Sequence, residues 1–192
     1  MAEEKKHKFS GSCACSLIIL NNSLLVVNVG DSRAILSCNR GEEVKDLSKD
    51  HKPSDLNEFS RIIQSGGELY CRAQNLKSSE SVFFFAKNYS ELKQANEQKK
   101  ISRELLFGPW RIKPGGLSVA RSFGDLESKV KSFGGKDNIV VSKPEIFDMD
   151  IENNFDFVFL ASDGVYDVLT SKEIVKIIWN TIEFHKKVTK NY

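Results

Sequence analysis

Residues 157–171 read FVFLASDGVYDVLTS. Five apolar residues, Phe157–Ala161, form a run of strand length that composition sends toward a core. The run stops at Asp163-Gly164, and a second acid, Asp167, follows four residues later. A strand made for burial therefore delivers two carboxylates to one end. Immediately downstream, Thr170-x-x-Glu173 has the spacing of a capping box. Ile174, Val175, Ile177, Ile178 and Ile182 repeat at helical spacing behind it, which predicts an amphipathic helix.

The same pattern of strand, glycine and acid occurs earlier. Residues 16–29, SLIILNNSLLVVNV, place two apolar runs on either side of Asn21-Asn22, a pair suited to a tight turn, and predict a hairpin. The second run ends at Gly30-Asp31, and Arg33–Ser37 resumes an extended pattern, so the expectation is an antiparallel meander. Residues 55–65 place Leu56, Phe59, Ile62 and Ile63 on one helical face, with Ser54 or Asp55 as cap and Gly66-Gly67 as stop. Residues 76–107 are rich in Lys, Ser, Gln, Glu and Asn, broken by Ser81–Phe85, and predict an inserted, partly mobile excursion with one segment held down by its aromatics. Glycine and proline at 108–109, 114–116 and 134–135 predict loops. Two strands are expected at Glu145–Met149 and Phe155–Ala161. Strands in runs with separate helices point to an α+β fold with a largely antiparallel sheet. No GxGxxG or GKS/GKT loop supports a doubly wound nucleotide fold.

Composition narrows the function. The chain has 192 residues and a net charge of +2, which fits about one domain and singles out no nucleic-acid partner. No uncharged stretch approaches the ~18 apolar residues that span a bilayer, and residues 1–8 lack the apolar core of a secretory signal. Cys13, Cys15, Cys38 and Cys71 show neither CxxC pairing nor metal-ligand spacing, so reduced thiols and a cytoplasmic or nuclear location are expected. Asp31, Asp163 and Asp167, each close to a strand end and two of them beside a glycine (Gly30, Gly164), are candidate ligands for a hard divalent cation, which prefers carboxylate oxygen. A Gly-Asp pair after a strand is also an ordinary turn, so this spacing alone leaves both readings open.

Five strings stand in order: VNVGDSRA (27–34), LSKDHKP (47–53), PGGLSVARSFGD (114–125), VSKPEI (141–146) and FLASDGVYDVLTSKE (159–173). Together they resemble the metal-dependent protein serine/threonine phosphatases, the PPM or type 2C family. The resemblance implies an antiparallel β-sandwich flanked by helices in four αββα layers, spanning residues 10–183, with 76–107 as a long insertion in the flap region. Residues 1–9 and 184–192 are then charged tails. It implies two or three Mn²⁺ or Mg²⁺ ions that activate water for attack on phosphoserine or phosphothreonine in protein substrates. A monomer is expected, though no residue pattern in the sequence sets the oligomeric state. In family terms Asp163 matches a ligand of the two-metal centre, while Asp31 and Asp167 match acids that hold a third ion with it. Gly164 is expected to keep the turn tight.

The same resemblance places the aspartate that bridges both ions in an Asp-Gly-His-Gly segment, and a final ligand in an Asp-Asn pair near the C-terminus. This chain has no Asp-Gly-His-Gly, and Asp137-Asn138 stands in the wrong place, ahead of VSKPEI. The expectation is thus a domain incomplete at both ends, with no assignable bridging aspartate or general-acid histidine. Two readings remain: part of an active phosphatase, or a non-catalytic, phosphatase-like interaction or regulatory module. His51 is expected to be a turn residue. Arg33 is expected to be structural, and Arg121 and Asp125 are expected to pair with each other and with backbone.

Overall fold

The computed structural model describes residues 10–189. In chain order the strands are β1 (Gly11–Ser12), β2 (Ala14–Leu20), β3 (Ser23–Val29), β4 (Arg33–Cys38), β5 (Glu43–Asp46), β6 (Glu68–Asn75), β7 (Ser81–Ala86), β8 (Leu105–Lys113), β9 (Phe123–Gly124), β10 (Glu145–Asp150) and β11 (Phe155–Ala161). The helices are α1 (Leu56–Gln64), α2 (Tyr89–Ile101), α3 (Leu126–Lys129), α4 (Asp163–Tyr166) and α5 (Ser171–Thr189). These elements divide into two compact units, one of residues 14–50 and 144–189 and the other of residues 10–13 and 51–143.

The first unit is a sandwich. Its sheets run β10-β3-β2 and β11-β4-β5, and every pairing is antiparallel. The β2–β3 hairpin turns at Asn21-Asn22, with Asn21 left-handed at φ 54°, as the sequence predicts. The meander does not form, because Gly30-Asp31 carries the chain from one sheet to the other and β3 never pairs with β4. The reason lies in β4. Ala34, Leu36 and Cys38 on one face join Leu24, Val26, Val158 and Leu160 in one apolar cluster, while Ile35 on the other face packs with Ile174, Val175 and Phe157. A strand buried on both sides needs a sheet over one face and helices over the other, which pairing beside β3 would not provide. This unit therefore shows three of the expected layers: sheet, sheet and helices.

Helix α5 begins with the predicted capping box. Glu173 Oε2 accepts from the Thr170 N–H at 2.8 Å, and Thr170 Oγ1 accepts from the Glu173 N–H at 3.3 Å. Ile174, Val175, Ile178 and Trp179 face the sheet, whereas Ile177 points to solvent. The helix continues through Thr189, so residues 184–189 are helical rather than a tail. The expected tail at 1–9 and the last three residues lie outside the described residues.

The second unit holds the sheet β7-β6-β8 with α1 and α2. Helix α1 is capped by Asp55, whose carboxylate accepts from the Asn57 N–H. Leu56, expected on its apolar face, is exposed, and Glu58 is buried instead. Residues 76–107 are not a loose excursion: they form β7, α2 and the start of β8, anchored by Phe84, Leu92 and Ala95 on the core. The loop expected at Gly108-Pro109 is part of β8. It fits there because β8 is an edge strand and the register shifts opposite Arg72, where a proline costs no ladder hydrogen bond.

Candidate functional site

The β4–β11 ladder ends at the pair Arg33–Ala161. Asp31 stands two residues before Arg33 and Asp163 two residues after Ala161, so the antiparallel register carries both acids past the same end of the ladder. Asp163 opens α4, and Asp167 closes it as C-cap, its N–H donating to the Asp163 carbonyl at 2.7 Å. Asp31 is buried, at 7% exposure, while Asp163 and Asp167 are open to solvent.

The two glycines differ. Gly30 has φ 114°, a conformation that costs any other residue strain, so the turn presenting Asp31 requires it. Gly164 has no left-handed φ, and an added Cβ there would make only an ordinary contact with Ser162 Oγ at 3.6 Å. The tight turn expected of Gly164 is therefore not imposed by backbone geometry; helix α4 makes the turn itself.

A polar clamp braces this end of the ladder. Arg33 donates through Nε and one Nη to the two Asp50 carboxylate oxygens, both at 2.9 Å. The same guanidinium lies 4.7 Å from the centre of the Tyr166 ring in α4. The Tyr166 hydroxyl is buried without a hydrogen-bond partner. Burial pushes its pKa up to about 12, against the lowering effect of Arg33. One arginine thus ties the turn carrying Asp31 to the helix carrying Asp163 and to Asp50. The sequence shows Arg33 as structural; its partners Asp50 and Tyr166 are signalled only by their places inside the LSKDHKP and SDGVYD strings.

The other candidate residues take structural roles. His51 is buried, and its backbone carbonyl accepts from the Ala120 N–H at 2.8 Å. Arg121 does not pair with Asp125. Its Nε and one Nη reach Glu58 Oε1, at 3.0 and 2.5 Å, while Arg61 takes the other oxygen at 2.5 Å. Burial raises the Glu58 pKa, but the hydrogen bonds from Arg121 and Arg61 outweigh it and hold the carboxyl below its usual range. Asp125 is instead a left-handed residue, φ 52°, whose N–H donates to the Ser10 carbonyl. Asp137 pairs with Lys131 at 2.7 Å.

The donor set at the ladder end fits a hard dication in kind, since carboxylate oxygens are what Mg²⁺ and Mn²⁺ take. It is small in number: among the described residues, no three His, Cys, Asp or Glu side chains gather closely enough to hold an ion. One or two carboxylates with water or phosphate oxygens suffice for Mg²⁺, so the fit does not depend on a closed cage. Among the described residues, no helix is long and apolar enough to cross a membrane.

Comparison with known proteins bears on the whole chain. The sequence model of the family described as Protein phosphatase 2C matches residues 1–191. The chain is similar to "Probable protein phosphatase 2C 59" of Oryza sativa subsp. japonica, 31% identical over 177 residues, 92% of this chain and 40% of that protein. It is similar to "Probable protein phosphatase 2C 60" of Arabidopsis thaliana, 27% identical over 181 residues, 94% of this chain and 39% of that protein. The chain thus spans about 40% of the length of these curated relatives. Its fold is like that of a serine-threonine phosphatase 2C from Toxoplasma gondii, with TM-score 0.57, 19% identity, and coverage of 92% of this chain and 49% of the other. It is also like that of a C. elegans sex determining protein, with TM-score 0.59, 19% identity, and coverage of 92% and 33%.

Proposed function

The chain belongs to the protein phosphatase 2C family, and on that premise we propose that it forms part of a catalytic domain that hydrolyses phosphoserine and phosphothreonine esters in proteins. The observation that carries this reading is the shared ladder end, where the register brings Asp31 and Asp163 past the same rung. Asp163, with Asp31 and Asp167, would hold a divalent cation, Mn²⁺ or Mg²⁺. Such a cation, when bound, supplies a Lewis acid for a phosphoryl oxygen and a water that ionises near neutral pH.

The chain's own residues do the positioning. Gly30 sets the turn that presents Asp31, and the antiparallel ladder fixes its place relative to Asp163. Arg33 is spent on Asp50 and Tyr166, so it braces the acids rather than binding phosphate. Exposed Asp163 and Asp167 leave the site open to a protein-borne phosphate ester. Cys15, Cys38 and Cys71 carry free thiols, which supports a place in the reducing cytoplasm or nucleus.

A second reading, a non-catalytic interaction module, is favoured by the small number of gathered carboxylates. Phosphate release from a phosphothreonine peptide separates the two. The protein carrying this chain is expected to release phosphate with Mn²⁺, to lose that activity in Asp163→Asn, and to keep it in Asp137→Asn. A protein inactive with both Mn²⁺ and Mg²⁺ sinks the catalytic reading.

A further inference from the structure

The sheet β7-β6-β8 has one face on the core and one face open. Leu69, Cys71 and Ala73 of β6 point inward and are buried. Strand alternation therefore sends Glu68, Tyr70, Arg72 and Gln74 outward. Across the ladders, Phe85 and Arg111 flank Tyr70, Phe83 lies beside Arg72, and Lys113 lies beside Glu68. The result is a face of aromatic rings and cations on which, by this alternation, only Glu68 is acidic, and that acid lies 3.5 Å from Lys87.

Its aromatic part is open to solvent. Phe83 is 51% exposed and Phe85 44%, and their ring centres lie 6.3 and 6.5 Å from that of Tyr70. Beside them, Arg72, Gln74, Leu106, Pro109 and Arg111 line a groove of about 510 Å³. An exposed aromatic patch of this kind, bordered mainly by cations, is a mark of a docking surface. The guanidinium groups are already oriented, Arg72 by Ser81 Oγ at 2.9 Å and Arg111 by the Gly116 carbonyl at 2.8 Å.

We propose that this face docks an acidic protein segment carrying apolar side chains. Charge complementarity selects the acidic partner, and the exposed rings select its apolar residues. Aromatic rings with cations on a sheet also suit single-stranded nucleic acid, but here the stacking positions are taken. The Lys113 ammonium lies 5.2 Å from the Tyr70 ring centre and 4.9 Å from that of Phe85, where a base would have to stack. A carboxylate, by contrast, meets that ammonium directly. The proposal is independent of phosphate hydrolysis, and its test reads binding alone.

The test is fluorescence anisotropy of the purified chain with a labelled peptide alternating glutamate and leucine, beside a lysine–leucine peptide and an oligouridine. The acidic peptide is expected to bind best and to weaken with added salt. Both the double variant Phe83→Ser/Phe85→Ser and the single variant Lys113→Glu are expected to lose about tenfold in affinity, with unchanged circular dichroism. No binding of the acidic peptide, tighter binding of oligouridine, or equal affinity in a folded variant overturns the proposal.

Discussion

Arg33 and Asp50 form a two-pronged ion pair, with both N–H···O contacts at 2.9 Å and side chains 28% and 13% exposed. The pair is bidentate and partly shielded from water, so it is stronger than an exposed surface pair. Asp50→Ala leaves Arg33 unpaired over the Tyr166 ring and is expected to cost about 1–3 kcal/mol in urea unfolding. A midpoint within error of the parent would show that the clamp contributes nothing.

The glycines of the two strand-to-acid turns should respond in opposite ways. Gly30→Ala forces a side chain onto φ 114° and is expected to destabilise by about 1–2 kcal/mol. Gly164→Ala adds a methyl group in helical backbone with only a 3.6 Å contact and is expected to be neutral or to stabilise by up to about 1 kcal/mol. Thermal unfolding of the two variants decides it; equal losses would contradict the assignment.

The Glu58 carboxylate, held by Arg121 and Arg61, makes the fold acid-sensitive in a defined direction. Its folded pKa lies below the ordinary value of 4.5, so its stabilisation is present above that pH and fades as the pH falls through the lowered folded value. Glu58→Gln is expected to be less stable at neutral pH by about 3 kcal/mol, with a gap to the parent that narrows on acidification. Denaturation series at several pH values test this, and a gap that widens toward acid refutes it.

Much of this was legible in the sequence because its causes are local. The Asn21-Asn22 turn, the Asp55 cap and the Thr170–Glu173 capping box are set by residues within a few positions of one another. The acids Asp31 and Asp163 were visible for the same reason, each being one short step beyond an apolar run. What sequence could not show was which strands pair. The separation of β3 from β4 is decided by residues far along the chain, in β10, β11 and α5. The burial of Glu58 has no local signal, because its partner Arg121 lies 63 residues away. Polar composition at 76–107 concealed a strand and a helix whose few apolar residues, Phe84, Leu92 and Ala95, are enough to anchor them.

Tyr166 offers a test at alkaline pH. Its buried hydroxyl has no partner, so Tyr166→Phe removes an unsatisfied polar group and is expected to leave stability unchanged or raised. The folded pKa, about 12, lies above the ordinary 10, so the parent loses stability as pH rises from 10 toward 12, and the variant should lose less. Thermal melts across that range read the difference; identical alkaline losses would contradict the burial of the hydroxyl.

The end of the β4–β11 ladder is the centre of the account, and Mn²⁺ binding followed by electron paramagnetic resonance tests it most directly. The account predicts that the chain broadens the free Mn²⁺ signal, that Asp163→Asn and Asp31→Asn each weaken this by about tenfold or more, and that Asp137→Asn leaves it unchanged. Binding that is equal in the parent and in Asp163→Asn would contradict it.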